Sequence, residues 1–170
     1  LSCLNLKKYF YKLRGKKLKY ALVLGVTSDI GRHIADGLAK RGYNLYLTGR
    51  NKMLLGEIQK DLGQKYSVKI ITFIFDVTKF STHEKFYEDL PVKPEIVFCS
   101  IGYYEDQKSA RQIVEETCAT ININLTGIIL ILNIISNDFE KRKSGSVVAL
   151  SSVAGERGRQ LNYIYGSAKA

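Results

Sequence analysis

Proline and glycine are scarce in the chain, at 2 and 14 of 170 residues, which excludes a low-complexity linker and a collagenous repeat. No window holds an uninterrupted apolar run long enough to cross a bilayer, so a transmembrane span is not expected. The three cysteines, Cys3, Cys99 and Cys118, form no CxxC pair and sit in apolar or mixed surroundings. They read as buried, reduced thiols, which excludes a disulfide miniprotein and a metal centre and predicts a cytoplasmic location. Acidic residues are missing from the first twenty positions, where Lys7, Lys8, Lys12, Arg14, Lys16, Lys17 and Lys19 carry most of the net charge of +10. The rest of the chain is nearly balanced, with 19 basic and 16 acidic residues. No recognised nucleic-acid module follows the basic arm, so nucleic acid is not an expected partner.

With 45% hydrophobic residues, the chain can bury the core of one α/β domain. Residues 1–18 read as a basic amphipathic arm, with Leu6, Phe10 and Leu13 on one helical face. Two uses stay open for it: a peripheral contact with an anionic membrane at its inner surface, and a solvated leader lying on the domain. Residues 19–170 read as the domain itself.

Tyr20-Ala21-Leu22-Val23-Leu24 is an apolar strand stopped by Gly25, and from Ile30 the residues Ile34, Ala35, Leu38 and Ala39 recur at helical spacing. The unit repeats. Leu45 to Leu47 is a strand before a helix over 51–62, and Val68 to Phe75 is a strand before a helix over 79–90. Ile96 to Cys99 is a fourth strand, a long helix is expected over 110–137, and Ser146 to Leu150 is strand five. A last helix starts near Asn162. Strands alternating with helices predict a Rossmann-like doubly wound parallel sheet. The pattern reads as truncated after strand five and the start of the following helix, without C-terminal strands.

The turn Gly25-Val26-Thr27-Ser28-Asp29-Ile30-Gly31 joins the first strand to its helix, where backbone N–H groups and the positive helix end favour a phosphate. Gly25 permits the sharp turn, and Gly31 permits close approach. Asp29 should point away from such a ligand by capping the helix. Arg50 follows strand two, where a guanidinium pairs with the 2′-phosphate of NADP and a carboxylate would select NAD. Arg32 is a candidate helper. Asp76, beside Val77 after strand three, is open to two readings, an adenine acceptor or a helix N-cap.

Tyr165 and Lys169 stand at i and i+4 on one helix face, so an ammonium lies beside a phenol. Ser152, thirteen residues before Tyr165, falls at the end of strand five, where its hydroxyl can hold a carbonyl oxygen. Asn124 is a polar residue in the apolar run Ile121 to Leu125 and should have a specific partner.

Together these features resemble the short-chain dehydrogenase/reductase family from about Lys19 to Ala170. The glycine turn, Asn124-Leu125-Thr126-Gly127, Ser151-Ser152-Val153-Ala154-Gly155 and the Tyr165/Lys169 pair occur in the family's order. The resemblance implies an NAD(P)-dependent oxidoreductase interconverting a ketone and a secondary alcohol, preferring NADP over NAD. Tyr165 would be the general acid or base, Lys169 would lower its pKa and hold the nicotinamide ribose, Ser152 would polarise the carbonyl, and Asn124 would hold a water in a proton relay. Gly25, Thr27, Ser28, Ile30, Gly31, Arg50, Asp76, Val77 and Gly102 would complete the coenzyme site. A small-molecule substrate and a homo-oligomeric full-length protein are implied as well. The chain departs from the family at Asp29, where a glycine is usual, and at Cys99-Ser100-Ile101-Gly102, which replaces Asn-Asn-Ala-Gly. The segment Gly155 to Tyr163, with Arg157 and Arg159, looks like that of reductases acting on sugars, including polyprenyl-phosphate sugars. The alternatives are a sugar-nucleotide epimerase or dehydratase and a non-catalytic dinucleotide-binding protein.

Overall fold

The computed structural model describes residues 19–170. The basic arm at 1–18 and Cys3, with the membrane contact proposed for the arm, lie outside the described residues.

Five strands form one sheet in the order β3-β2-β1-β4-β5, with every neighbouring pair parallel. They are β1 (Tyr20–Leu24), β2 (Asn44–Gly49), β3 (Ile70–Ile74), β4 (Ile96–Cys99) and β5 (Ser146–Ala149). Strand β1 is buried along its whole length, as a central strand covered on both faces must be. One face packs Leu22, Leu24, Tyr46 and Val97 against Ile131, Ile135 and Phe139. The other packs Ala21, Val23, Leu45 and Leu47 against Ala35, Leu38, Leu55 and Ile58. Strand β5 is exposed throughout. The doubly wound sheet is therefore the one the periodicity predicts, and its order reverses between β1 and β4, which opens a crevice at their carboxyl ends.

Helices α1 (Asp29–Lys40) and α2 (Lys52–Lys65) lie on the second face. Each has a side-chain cap: Ser28 Oγ accepts from Gly31 N at 3.0 Å, and Asn51 Oδ1 accepts from Leu54 N at 3.1 Å. The capping residue of α1 is thus Ser28, not Asp29, which lies exposed in the first turn. The helix expected over 79–90 is a 3₁₀ turn, Phe80–Thr82, followed by α3 (His83–Glu88).

The long helix expected over 110–137 is broken and extends further. It comprises α4 (Gln107–Ala110), α5 (Val114–Ile121), a π turn at Asn122–Thr126, and α6 (Gly127–Arg142). Asn124 explains the π turn. Its Nδ2 donates to the Thr120 carbonyl at 2.9 Å, and the Gly127 amide reaches back to Asn122. The continuous segment Val114–Arg142 contains an 18-residue window of mean hydropathy 1.9 and is long and apolar enough to cross a membrane. This corrects the expectation drawn from uninterrupted runs, because scattered polar residues do not lower the mean enough. In this fold Ile131, Ile135 and Phe139 of the segment pack on the sheet, the position of a core helix.

The chain ends with α7 (Val153–Glu156), which the sequence reading did not anticipate, and α8 (Tyr163–Lys169). A Cβ at Gly155 would strike the Lys169 carbonyl, and one at Gly166 would lie 2.7 Å from the Ala154 carbonyl. Two glycines therefore let the backbones of α7 and α8 meet.

Candidate functional site

At the carboxyl ends of β1 and β4 lies an open crevice. Its lining includes Gly25, Thr27, Ser28, Arg50, Asp76, Val77 and Gly102, all expected there from sequence, together with Thr48, Gly49, Ser100, Ile101 and Ile123. Gly31, Ile30, Tyr165 and Lys169 are not in that lining.

The floor of the crevice is backbone. Gly25 has φ +85°, and a side chain there would also lie 3.0 Å from the Ile101 amide. A Cβ on Gly31 would lie 2.6 Å from the Gly25 carbonyl and 2.8 Å from Ser100 Oγ, so Gly31 acts from behind the turn. The Ile30 side chain is exposed. Because Ser28 caps the Gly31 amide, the first-turn amides of Asp29 and Ile30 remain as donors at the positive end of α1. Ser100 Oγ lies 3.1 Å from the Leu24 carbonyl and 3.0 Å from the Gly25 carbonyl, which ties the end of β4 to the turn. Thr48 Oγ1 accepts from the Gly25 amide at 3.3 Å and so fixes the turn from β2. Ser100 belongs to the segment Cys99 to Gly102 that departs from the family pattern, but its bonds to the turn do not follow from that departure.

Asp76 is not a helix cap. Its Oδ1 accepts from Thr78 N at 3.0 Å and from Thr78 Oγ1 at 2.7 Å, forming a local turn. Burial alone would raise its pKa, but the two Thr78 hydrogen bonds and the charges of Arg50 and Lys79 outweigh it and hold the carboxyl below its ordinary value. Arg50 is exposed at the rim. Arg32 instead lines a separate groove between α1 and α2, with His33, Asp36 and Glu57.

Lys169 is buried, and its Nζ lies 3.3 Å from the carbonyls of both Ile101 and Leu150. Burial pushes its pKa down, with Cys99 acting weakly the other way. An ammonium has three N–H donors, so one remains after these two bonds. Ile101 also lines the crevice, and Lys169 thereby fastens α8 to the crevice wall. Tyr165, one turn earlier, is half-buried, with its ring edge-on to Tyr104 at 5.2 Å between centroids. Ser152 caps α7 by accepting from Ala154 N at 3.2 Å, which engages a lone pair and leaves its own proton to donate. Ser151 donates to the Lys169 carbonyl at 2.6 Å.

Asn124 has the specific partners its position demands. Oδ1 accepts from Tyr103 N at 3.0 Å, and Nδ2 donates to the carbonyls of Tyr103 and Thr120. Both of its N–H groups are spent, so a water could meet this side chain only at the second lone pair of Oδ1. Arg157 and Arg159 are exposed on the loop between α7 and α8. Cys99 is buried, and its thiol pKa is pushed up by burial; Cys118 is exposed on α5, contrary to expectation. Among the described residues no group of three or more His, Cys, Asp or Glu side chains could hold a metal.

Comparison with known proteins places this geometry. The sequence profile of the short chain dehydrogenases matches residues 19–170. A very-long-chain 3-oxoacyl-CoA reductase of Danio rerio is 27% identical over 157 residues, covering 89% of this chain and 49% of the relative. An inactive hydroxysteroid dehydrogenase-like protein 1 of Pongo abelii is 29% identical over 143 residues, covering 79% of this chain and 42% of the relative. Among solved structures, a short-chain dehydrogenase of Sphingobium yanoikuyae in complex with NADPH superposes with a TM-score of 0.81 at 25% identity, covering 89% of this chain and 61% of that one. The chain thus spans about half the length of these curated relatives.

Proposed function

Because this chain belongs to the short-chain dehydrogenase/reductase family, we propose that it carries the coenzyme half and reaction residues of an NAD(P)-dependent oxidoreductase that interconverts a ketone and a secondary alcohol. One observation carries the proposal. Lys169 of the Tyr165 helix is bonded to Ile101 of the glycine-floored crevice, which sets that helix against the crevice wall and supports a single site for the phenol and the glycine turn.

The residues present fit a dinucleotide. A cradle that a Cβ would fill at Gly25 and Gly31, free amides at the start of α1, and Arg50 beside Asp76 offer donors for phosphates at one end. The NADPH held by the Sphingobium enzyme supports this use. When bound, the nicotinamide supplies the hydride. Arg50 favours the 2′-phosphate of NADP over the bare ribose of NAD.

In carbonyl reduction the Tyr165 hydroxyl gives its proton to the substrate oxygen, and in alcohol oxidation the phenolate takes it back. Lys169 stands one turn from Tyr165, and its remaining N–H is available to the nicotinamide ribose. Ser152 donates its free proton to the carbonyl oxygen. Asn124 holds the Tyr103 loop and the π turn in place, and the Oδ1 lone pair is the group it offers a relay water. For substrate, the exposed Arg157 and Arg159 beyond Ser152 favour an anionic, oxygen-rich ketone such as a phosphorylated sugar. The zebrafish relative instead favours a 3-oxoacyl thioester. In the full-length protein we expect a homo-oligomer.

A non-catalytic dinucleotide-binding role is the second reading, favoured by the resemblance to a relative named inactive. The test is nicotinamide absorbance with full-length protein and a panel of keto sugars and 3-oxoacyl thioesters. Tyr165→Phe should lower turnover by about 10³-fold while coenzyme still binds. Equal turnover by Tyr165→Phe and the parent overturns the mechanism, and coenzyme binding with no turnover of any ketone favours the second reading.

A further inference from the structure

The helix that carries Tyr165 and Lys169 does not cap itself. Asn162 stands at its N-cap position, a residue type that ordinarily accepts a hydrogen bond from a first-turn amide. Here it makes no such bond, and its Oδ1 is buried without a partner. The first-turn amide of Ile164 is taken instead by Gln107 Oε1, at 3.1 Å and 57 residues away in sequence. Gln107 opens α4, is 6% exposed, and has a buried Nε2 without a partner. Leaving that donor unpaired costs free energy, and the bond that Oε1 makes to the Ile164 amide offsets part of that cost.

Helix α8 has seven residues, too few to hold its own ends by propensity alone. Its last turn is held by Ser151 on the Lys169 carbonyl and by Lys169 Nζ on Ile101 and Leu150. Its first turn is held by Gln107. Tyr165 directly follows the residue whose amide Gln107 accepts, and its ring meets Tyr104, three residues before Gln107.

We infer that Gln107 is a positioning residue for Tyr165: by capping α8 from the segment that follows β4, it sets where the phenol stands relative to the crevice. This rests on the proposed reaction. The cap works through Oε1 alone, so a glutamate can perform it and a methionine of similar length cannot. An acceptor at a helix N-terminus also favours negative charge, which makes glutamate the stricter substitute.

The experiment compares parent, Gln107→Met and Gln107→Glu in the full-length protein, by steady-state kinetics over pH and by hydrogen exchange at the Ile164 amide. Gln107→Met should lower kcat by about 30-fold with the coenzyme and ketone KM values within about twofold, the cost of a misplaced reacting group. Its Ile164 amide should exchange about tenfold faster, as the loss of a cap implies. Gln107→Glu should recover most of both losses. Parental kcat and parental exchange in Gln107→Met overturn the inference, and so does an equal failure of Met and Glu variants with matching losses of coenzyme affinity and thermal midpoint. If the parent itself reduces no ketone, the proposed reaction falls. Exchange then decides: a fast Ile164 amide in Gln107→Met that Gln107→Glu protects upholds the cap, and unchanged exchange removes it.

Discussion

Asn124 and Tyr103 are joined twice, with the Tyr103 amide donating to Asn124 Oδ1 at 3.0 Å and the Tyr103 carbonyl accepting from Asn124 Nδ2 at 2.6 Å. A buried side-chain amide that copies a strand neighbour in this way ties the loop after β4 to the π turn. Asn124→Ala frees both backbone groups and the Thr120 carbonyl, and should destabilise the protein by about 3 kcal/mol. Asn124→Asp should cost more at neutral pH, because a carboxylate oxygen would face the Tyr103 and Thr120 carbonyls. Urea midpoints check the order. An aspartate variant more stable than the alanine one would show that these contacts do not carry the loop.

Gly31 and Gly56 separate the two things a helical glycine can mean. A Cβ at Gly31 would lie 2.6 Å from the Gly25 carbonyl and 2.9 Å from Val26 Cα, whereas nothing lies within 4 Å at Gly56. Gly56→Ala should therefore stabilise by about 0.5 to 1 kcal/mol through helix propensity. Gly31→Ala gains the same propensity but displaces backbone, for a net loss of about 2 kcal/mol. It should also weaken coenzyme binding by more than about tenfold, since the displaced carbonyl belongs to the crevice floor. Fluorescence titration with NADPH and chemical unfolding of both variants test the contrast, and equal effects would refute it.

Arg50 lies at the exposed rim, and its charge helps to hold the Asp76 carboxyl below its ordinary pKa. Arg50→Asp removes the partner for a 2′-phosphate and sets a second carboxylate near Asp76. NADP affinity should fall by about 10- to 100-fold, the value of a charge-assisted contact, while NAD affinity changes by less than about threefold. Competition between the two coenzymes measures this directly. Equal losses would remove Arg50 from the selectivity assignment.

Strands were legible because burial on both faces forces unbroken apolar runs such as Tyr20 to Leu24, and Gly25 was legible because only a glycine holds φ +85° without strain. Ser152 is legible as a hydroxyl at a strand end, Asn124 as a polar residue in an apolar helical run, and Tyr165 with Lys169 as a phenol and an ammonium at i and i+4 on one helix face. What stayed hidden depends on partners distant in sequence. Gln107 reaches Ile164 across 57 residues, and Ser100 reaches Gly25 across 75. Asn124 was recognised as needing a partner, but that its side chain would take the carbonyl of Thr120 and open a π turn does not follow from spacing. The cap reading of Asp29 follows from the need to turn a carboxylate away from a phosphate, yet Ser28, one residue earlier, occupies the capping position.

His83 lies directly beneath the crevice and makes the fold sensitive to acid. It is 1% exposed, packs on Phe75 and Phe80, and its Nε2 lies 3.0 Å from the Val77 carbonyl. A carbonyl can only accept, so Nε2 carries the proton and the unpartnered Nδ1 holds a bare lone pair. Burial lowers the pKa below the ordinary 6.5, against the opposing pull of the Val77 carbonyl and Asp76. Between the lowered native value and 6.5 the unfolded chain binds more protons than the native one, so stability rises with pH across that window. The stability due to neutral His83 is therefore full above 6.5 and is lost as the pH falls through the native value. His83→Gln keeps an N–H for Val77 and cannot titrate. The urea midpoint of the parent should fall between about pH 7.5 and about pH 5 by more than that of His83→Gln. Parallel curves for parent and variant would exclude His83 as the titrating group.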